Sequence, residues 1–244
     1  MIAQTSTETF LPNAIAGLEV VVTGSSAGIG RAIASRLVAL GCVVHGLDRS
    51  PATLSSHCFH PLTVDLADGV QTATTARARS HVDALVHAAG VLRVGPLGRL
   101  DPDAGQMMWR IHVDAVSRLA DALVPRMAER GRGRVVFIGS RVAQGFPGRS
   151  QYAATKAALV ALARSWAREV APKGVTINVI SPAATATTML DDPARGASKP
   201  RVPPFGRLID PAEIAELVAF LLSPAAAAIT GQDIAICGGA SLPS

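Results

Sequence analysis

Residues 18–30 read Leu-Glu-Val-Val-Val-Thr-Gly-Ser-Ser-Ala-Gly-Ile-Gly. An apolar run ends at Thr23, and Gly24, Gly28 and Gly30 follow within seven residues. Ile33, Leu37 and Leu40 then recur at helical spacing along 29–40. This is a strand, a glycine turn and a helix. Glycine lets a main chain bend where other residues cannot and lets it approach a ligand closely. A helix that starts at such a turn aims unpaired N–H groups and a positive dipole end at what lies before it. A pyrophosphate fits that description. The spacing is not G-x-G-x-x-G, and the glycines alone also describe a tight turn that binds nothing.

Outward from this stretch, strand-like and helix-like segments alternate. Strands are expected at 42–47, 62–64, 84–87, 134–138, 175–180 and 234–236. Helices are expected at 104–130, interrupted near Pro125, at 152–171, and at 211–222 with proline in its first turn. Such alternation predicts an α/β fold: one doubly wound parallel sheet covered on both faces, in a single domain over 18–244. Residues 1–17 read as a leader without pattern. Residues 187–206, rich in Pro, Gly, Asp, Ser and Arg, read as a substrate loop.

The bulk numbers exclude several classes. Hydrophobic residues make up 49% of 244 and charged residues 17%, enough apolar surface for a large core. The net charge is +5, but the 20 arginines and three lysines are scattered, and the densest run (Arg130, Arg132, Arg134) has no stacking aromatic. No nucleic-acid partner is expected. Cys42, Cys58 and Cys237 are too few and too far apart for a disulfide framework or a metal site, so no metal is expected. No apolar run approaches the roughly 18 residues that span a bilayer, and residues 1–17 do not resemble a signal peptide. The expectation is a cytoplasmic protein without a membrane partner.

Asp48 closes the second strand, 18 residues after Gly30. A carboxylate there accepts hydrogen bonds from ribose hydroxyls and repels a 2′-phosphate, which favours NAD over NADP. Arg49 pulls the other way, since it can pair with a phosphate. Asp65, with Leu66 behind it, reads either as a partner for the adenine amino group or as a cap before Ala67.

Tyr152 is the only tyrosine, and Lys156, one of three lysines, follows it by four residues. On a helix these share a face. A free phenol titrates near 10, too high for proton exchange at neutral pH, and a neighbouring cation lowers that value. Ser140 follows the 134–138 strand, at the sheet edge where α/β folds bind ligands. It is positioned to donate a hydrogen bond to a substrate oxygen.

With these motifs in order, the sequence resembles the short-chain dehydrogenase/reductase family over about residues 17–240. Thr23–Gly30 is similar to the family's T-G-x-x-x-G-x-G. His87-Ala88-Ala89-Gly90 resembles its N-N-A-G, Ser140 with Tyr152–Lys156 its Ser…Y-x-x-x-K centre, and Asn178–Pro182 its N-x-x-x-P segment. The resemblance implies a Rossmann-type fold and reversible hydride transfer between a nicotinamide and an alcohol or carbonyl substrate. Ser140, Tyr152 and Lys156 are then catalytic. Thr23, Gly24, Ser26, Gly28, Ile29, Gly30, Asp48, Arg49, Asp65, Leu66, Ala88, Ala89, Gly90, Tyr152, Lys156, Pro182, Thr185 and Thr187 hold the cofactor, with Thr187 against the carboxamide. It also implies a homotetramer or homodimer. Asp114, after Val113, stands where the family's helix carries a catalytic Asn, and is assigned that role.

The family's Asn residues are replaced at His87 and Ala88, Cys237 stands for an Asp, and the Ser-to-Tyr spacing is one residue short. These departures keep two rivals open: a catalytically weak nucleotide-binding or regulatory protein, and an enzyme that uses bound cofactor for dehydration or epimerisation.

Overall fold

The computed structural model describes residues 14–192 and 201–242. Seven strands form one parallel sheet: β1 (Glu19–Thr23), β2 (Val43–Asp48), β3 (Phe59–Thr63), β4 (Ala84–His87), β5 (Gly133–Ile138), β6 (Val175–Pro182) and β7 (Asp233–Ile236). Their order is β3-β2-β1-β4-β5-β6-β7. The chain therefore winds outward one way from β1 and the other way from β4. The crevice between these two strands, at their carboxyl ends, is where this topology receives a ligand.

Alternation along each strand divides the core between two faces. Val20 and Val22 of β1 pack with Ile33 and Leu37 of α1 (Gly28–Ala39) and with Ile214 and Val218 of α6 (Pro211–Leu222). Val21 points to the other face. There it joins Leu119 and Leu123 of α4 (Ala115–Glu129) and Leu159 and Ala163 of α5 (Ser150–Val170). Burial of each such leucine stabilises the fold by about 1.5–3 kcal/mol.

Four differences from the sequence expectations have local causes. Ile15 is fully buried in the first core, and Cys42 Sγ donates to its carbonyl at 3.2 Å, so packing begins inside the stretch read as a leader. A helix not anticipated, α2 (Gly69–Arg77), starts where the Asp68 carboxylate accepts from the N–H groups of Val70 and Gln71. Its threonine-rich sequence has little intrinsic helical preference, so the cap and packing beside α4 carry it. The expected 104–130 helix is broken, but not at Pro125, which lies within α4. The break is a π-turn over Arg110–Asp114, preceded by α3 (Pro102–Trp109). Finally, of the 187–206 loop, Thr188–Asp191 forms a 3₁₀ turn, while 193–200 lie outside the described residues, Arg195 and Lys199 among them.

Candidate active site

A cleft of about 780 Å³ opens along the carboxyl edge of the sheet. One end is lined by the glycine turn, Asp48, Arg49, Asp65 and Leu66. The other is lined by Ser140, Tyr152, Lys156, Pro182, Thr185 and Thr187, with Ala88, Ala89 and Gly90 between.

The turn is shaped by contacts that exclude side chains. Gly24 has φ +69° and Gly28 φ +51°. A Cβ on Gly30 would sit 2.0 Å from the Gly24 carbonyl oxygen. Helix α1 begins at this turn with no side-chain cap and no acidic residue in its first turn. By contrast α2, α3 and α6 are each capped by an aspartate. The first N–H groups of α1 are thus left for an anion, and the residues present fit a dinucleotide pyrophosphate.

Asp48 does more than line the cleft. Its Oδ2 accepts from Ser26 N–H at 3.0 Å and its Oδ1 from Ser50 N–H at 2.9 Å. Thr53 Oγ1 donates to the Ser26 carbonyl at 2.7 Å. The carboxylate therefore braces the glycine turn against the end of β2, and its remaining lone pairs stay open for hydroxyl donors. Asp65 uses Oδ1 to accept from Ala67 N–H at 2.9 Å, and the true cap of α2 is Asp68.

Thr23 does not line the cleft. It is fully buried, and its Oγ1 accepts from the N–H groups of Ala88 and Ala89, both at 3.1 Å. The hydroxyl hydrogen is left for His87 Nδ1, 2.9 Å away. Thr23 thus fastens β1 to the loop after β4, whose Ala88 and Ala89 line the cleft.

At the other end, Lys156 is 4% exposed and donates to the Ile138 carbonyl at 2.8 Å. Burial pushes its amine down to about 7. Its nitrogen lies 5.8 Å from the centre of the Tyr152 ring. Ser140 is buried on the same wall, its hydroxyl accepting from Val142 N–H at 3.2 Å. The helix α5 thus presents Tyr152 and Lys156 one turn apart, opposite the end of β5 that presents Ser140.

The geometry does not bring Asp114 to the cleft. Asp114 is half-buried and does not line the cleft. The side chain that the π-turn directs toward Tyr152 is His112, fully buried. Residues two apart on a helix do not share a face. His112 was missed, although its apolar neighbours Ile111 and Val113 mark that stretch as inward-facing.

Among the described residues no group of three His, Cys, Asp or Glu could hold a metal, and no helix is long and apolar enough to cross a membrane.

Fold and cleft together are those of a Rossmann-like α/β protein. Comparison with known proteins narrows this. A family model described as Enoyl-(Acyl carrier protein) reductase matches residues 24–241. The 3-oxoacyl-(acyl-carrier-protein) reductase of Vibrio harveyi is 36% identical over 233 residues, 90% of this chain and 95% of the relative. The 2,3-dihydro-2,3-dihydroxybenzoate dehydrogenase of Escherichia coli (strain K12) is 34% identical over 244 residues, 93% of this chain and 98% of the relative. A solved structure described as a short chain dehydrogenase/reductase family protein superposes with a TM-score of 0.86 at 35% identity, covering 93% of this chain and 98% of that one. The chain belongs to the short-chain dehydrogenase/reductase family, and is an NAD(P)-dependent oxidoreductase acting on CH–OH groups.

Proposed function

We propose that this enzyme interconverts a secondary alcohol and a ketone with NAD as its preferred cofactor, using Ser140, Tyr152 and Lys156. The observation that carries the reading is that these three side chains line the same cleft as the uncapped, acid-free start of α1. The bound nicotinamide supplies the hydride chemistry. In the oxidising direction Tyr152, as phenolate, takes the hydroxyl proton, and in the reducing direction its phenol returns one. Ser140, whose oxygen accepts from Val142, keeps its own hydrogen to orient the substrate oxygen. Lys156, with an amine near 7, is poised near neutral pH between its two forms. A phenolate next to it favours the ammonium and is favoured by it.

The preference for NAD rests on Asp48. Its carboxylate lines the cleft with oxygens already held by Ser26 and Ser50, so a 2′-phosphate would meet a fixed negative charge.

The substrate end of the cleft is basic. Among the described residues that line that end, the carboxylate of Asp192 pairs with Arg93 at 3.0 Å, while Arg141, Arg149 and Arg201 also line the cleft. That balance favours an anionic substrate. The name of the Escherichia coli relative, a dihydroxybenzoate dehydrogenase, describes a carboxylate-bearing cyclic diol. The proposal extends to a cytoplasmic dimer or tetramer, which sedimentation tests.

The deciding experiment is a panel of hydroxy acids, keto acids and their methyl esters, followed by NADH and NADPH absorbance. Turnover with NAD, faster for the acid than for its ester, supports the reading. Tight NADH binding with no turnover across the panel would favour the nucleotide-binding, non-catalytic alternative.

A further inference from the structure

The buried imidazole of His112 makes three contacts, two of which lead to Tyr152. Its Nε2 lies 3.0 Å from the Val91 N–H, and a backbone N–H can only donate. Nε2 therefore carries a lone pair. Its Nδ1 lies 2.8 Å from Thr155 Oγ1. The Thr155 hydroxyl spends its one hydrogen on the Tyr152 carbonyl at 2.8 Å, so its oxygen accepts from His112 Nδ1–H. Both ends require the same tautomer, Nδ1–H, a neutral ring assigned here from the network. The ring also meets the Tyr152 ring edge-on, with centroids 5.6 Å apart and planes at 85°.

These contacts join three segments that sequence separates: the loop after β4 that lines the cleft, the π-turn, and the first two turns of α5. The π-turn is what lets a residue of the long helix reach inward at this depth, a placement in which such turns recur at functional sites. Gly90 leaves the room: a Cβ there would come 3.1 Å from His112 Nε2 and 3.6 Å from Lys156 Nζ.

We propose that His112 is a positioning residue, a neutral imidazole strut that fixes the Tyr152 hydroxyl relative to the nicotinamide floor through Val91 and Thr155. It does not line the cleft. The inference rests on the reading of Tyr152 as the proton-transfer group. The remaining ionisable groups around the ring are Lys156 and His87, and both are buried.

Two features make the test clean. Thr155→Val removes one hydroxyl without changing shape, and Thr155→Ser restores it. Tyr152 is also the only tyrosine, so phenolate absorbance of the NAD complex reports on this residue alone, without any substrate. Nitrogen NMR of the holoenzyme should show His112 protonated on Nδ1 only. In Thr155→Val and His112→Ala the phenolate midpoint should rise by about one pH unit, as the hydroxyl loosens from its cationic neighbours. In the same variants kcat should fall about tenfold or more, with NADH affinity within twofold of wild type. Thr155→Ser should behave as wild type. An Nε2–H tautomer, an unmoved phenolate midpoint, or equal damage from Ser and Val would overturn the proposal. Tyr152→Phe, run alongside, separates the two failures. If it stays active, the catalytic reading falls, while the tautomer and the absorbance midpoint still judge the strut.

Discussion

Lys156 Nζ stands 5.8 Å from the centre of the Tyr152 ring, with its hydrogen bond to Ile138 holding it there. The pairing predicts a sharp division of effects. Tyr152→Phe should keep NADH affinity, because the ring still packs against His112, yet lose about 10³-fold or more in kcat, because the proton carrier is gone. NADH fluorescence titration and steady-state rates check both halves. Near-normal turnover in this variant would remove Tyr152 from the mechanism.

Asp48 both braces the glycine turn and opposes a 2′-phosphate. Asp48→Asn retains an oxygen that can accept from Ser26 or Ser50, but loses the charge. The ratio of kcat/KM for NADP over NAD should rise by about tenfold or more, a difference of about 1.4 kcal/mol. Rates with each cofactor at subsaturating concentration measure it. An unchanged ratio means that another group, Arg49 first among them, sets the preference.

Two buried histidines predict a loss of stability in acid. Burial, then the Lys156 charge, lowers His87 from 6.5 to about 3, and burial lowers His112 well below 6.5. Above 6.5 both folded and unfolded chains hold neutral rings, and the histidines contribute no pH dependence. As pH falls from 6.5 toward 3, the unfolded chain takes up protons that the folded one refuses, so stability drops. Each ring contributes up to about 1.4 kcal/mol per pH unit, so the pair should cost about 2–4 kcal/mol between neutrality and pH about 5. Denaturant unfolding at the two pH values shows it, and His87→Asn/His112→Asn should flatten the slope. A double variant with the same slope as wild type would assign the acid sensitivity to carboxylates.

Gly30 is confined by the backbone rather than by its own φ. A Cβ 2.0 Å from the Gly24 carbonyl cannot be accommodated without moving the turn. Gly30→Ala should destabilise the fold by about 3 kcal/mol and weaken NAD binding as well. Thermal unfolding and cofactor titration read the two effects. A variant that matches wild type in both would show the turn to be more pliable than its contacts imply.

The sheet, the glycine turn and the placement of Tyr152 and Lys156 one helical turn apart were legible in the sequence, because each rests on local spacing. Period-2 and period-3.6 patterns set the strands and helices. Glycines mark turns, and residues four apart on a helix share a face. Local rules failed where a non-local balance decides. Asp68 and packing on α4 made a helix of a threonine-rich stretch. Ile15 is buried in a core built from segments far along the chain, Cys42 among them. The break in the long helix came at Arg110–Asp114 and not at Pro125.

What the sequence determined by itself was the class of chemistry: a turn able to hold a pyrophosphate, and a lone phenol one helical turn from an amine. Only the tertiary structure decided which side chains stand around that phenol. It turned Asp114 away, buried His112 between Val91 and Thr155, and spent Thr23 on the interior. The reason is that hydrogen-bond partners in a buried site come from segments far apart in the chain. Their choice depends on where a single π-turn rotates the helix, and no periodicity records that rotation.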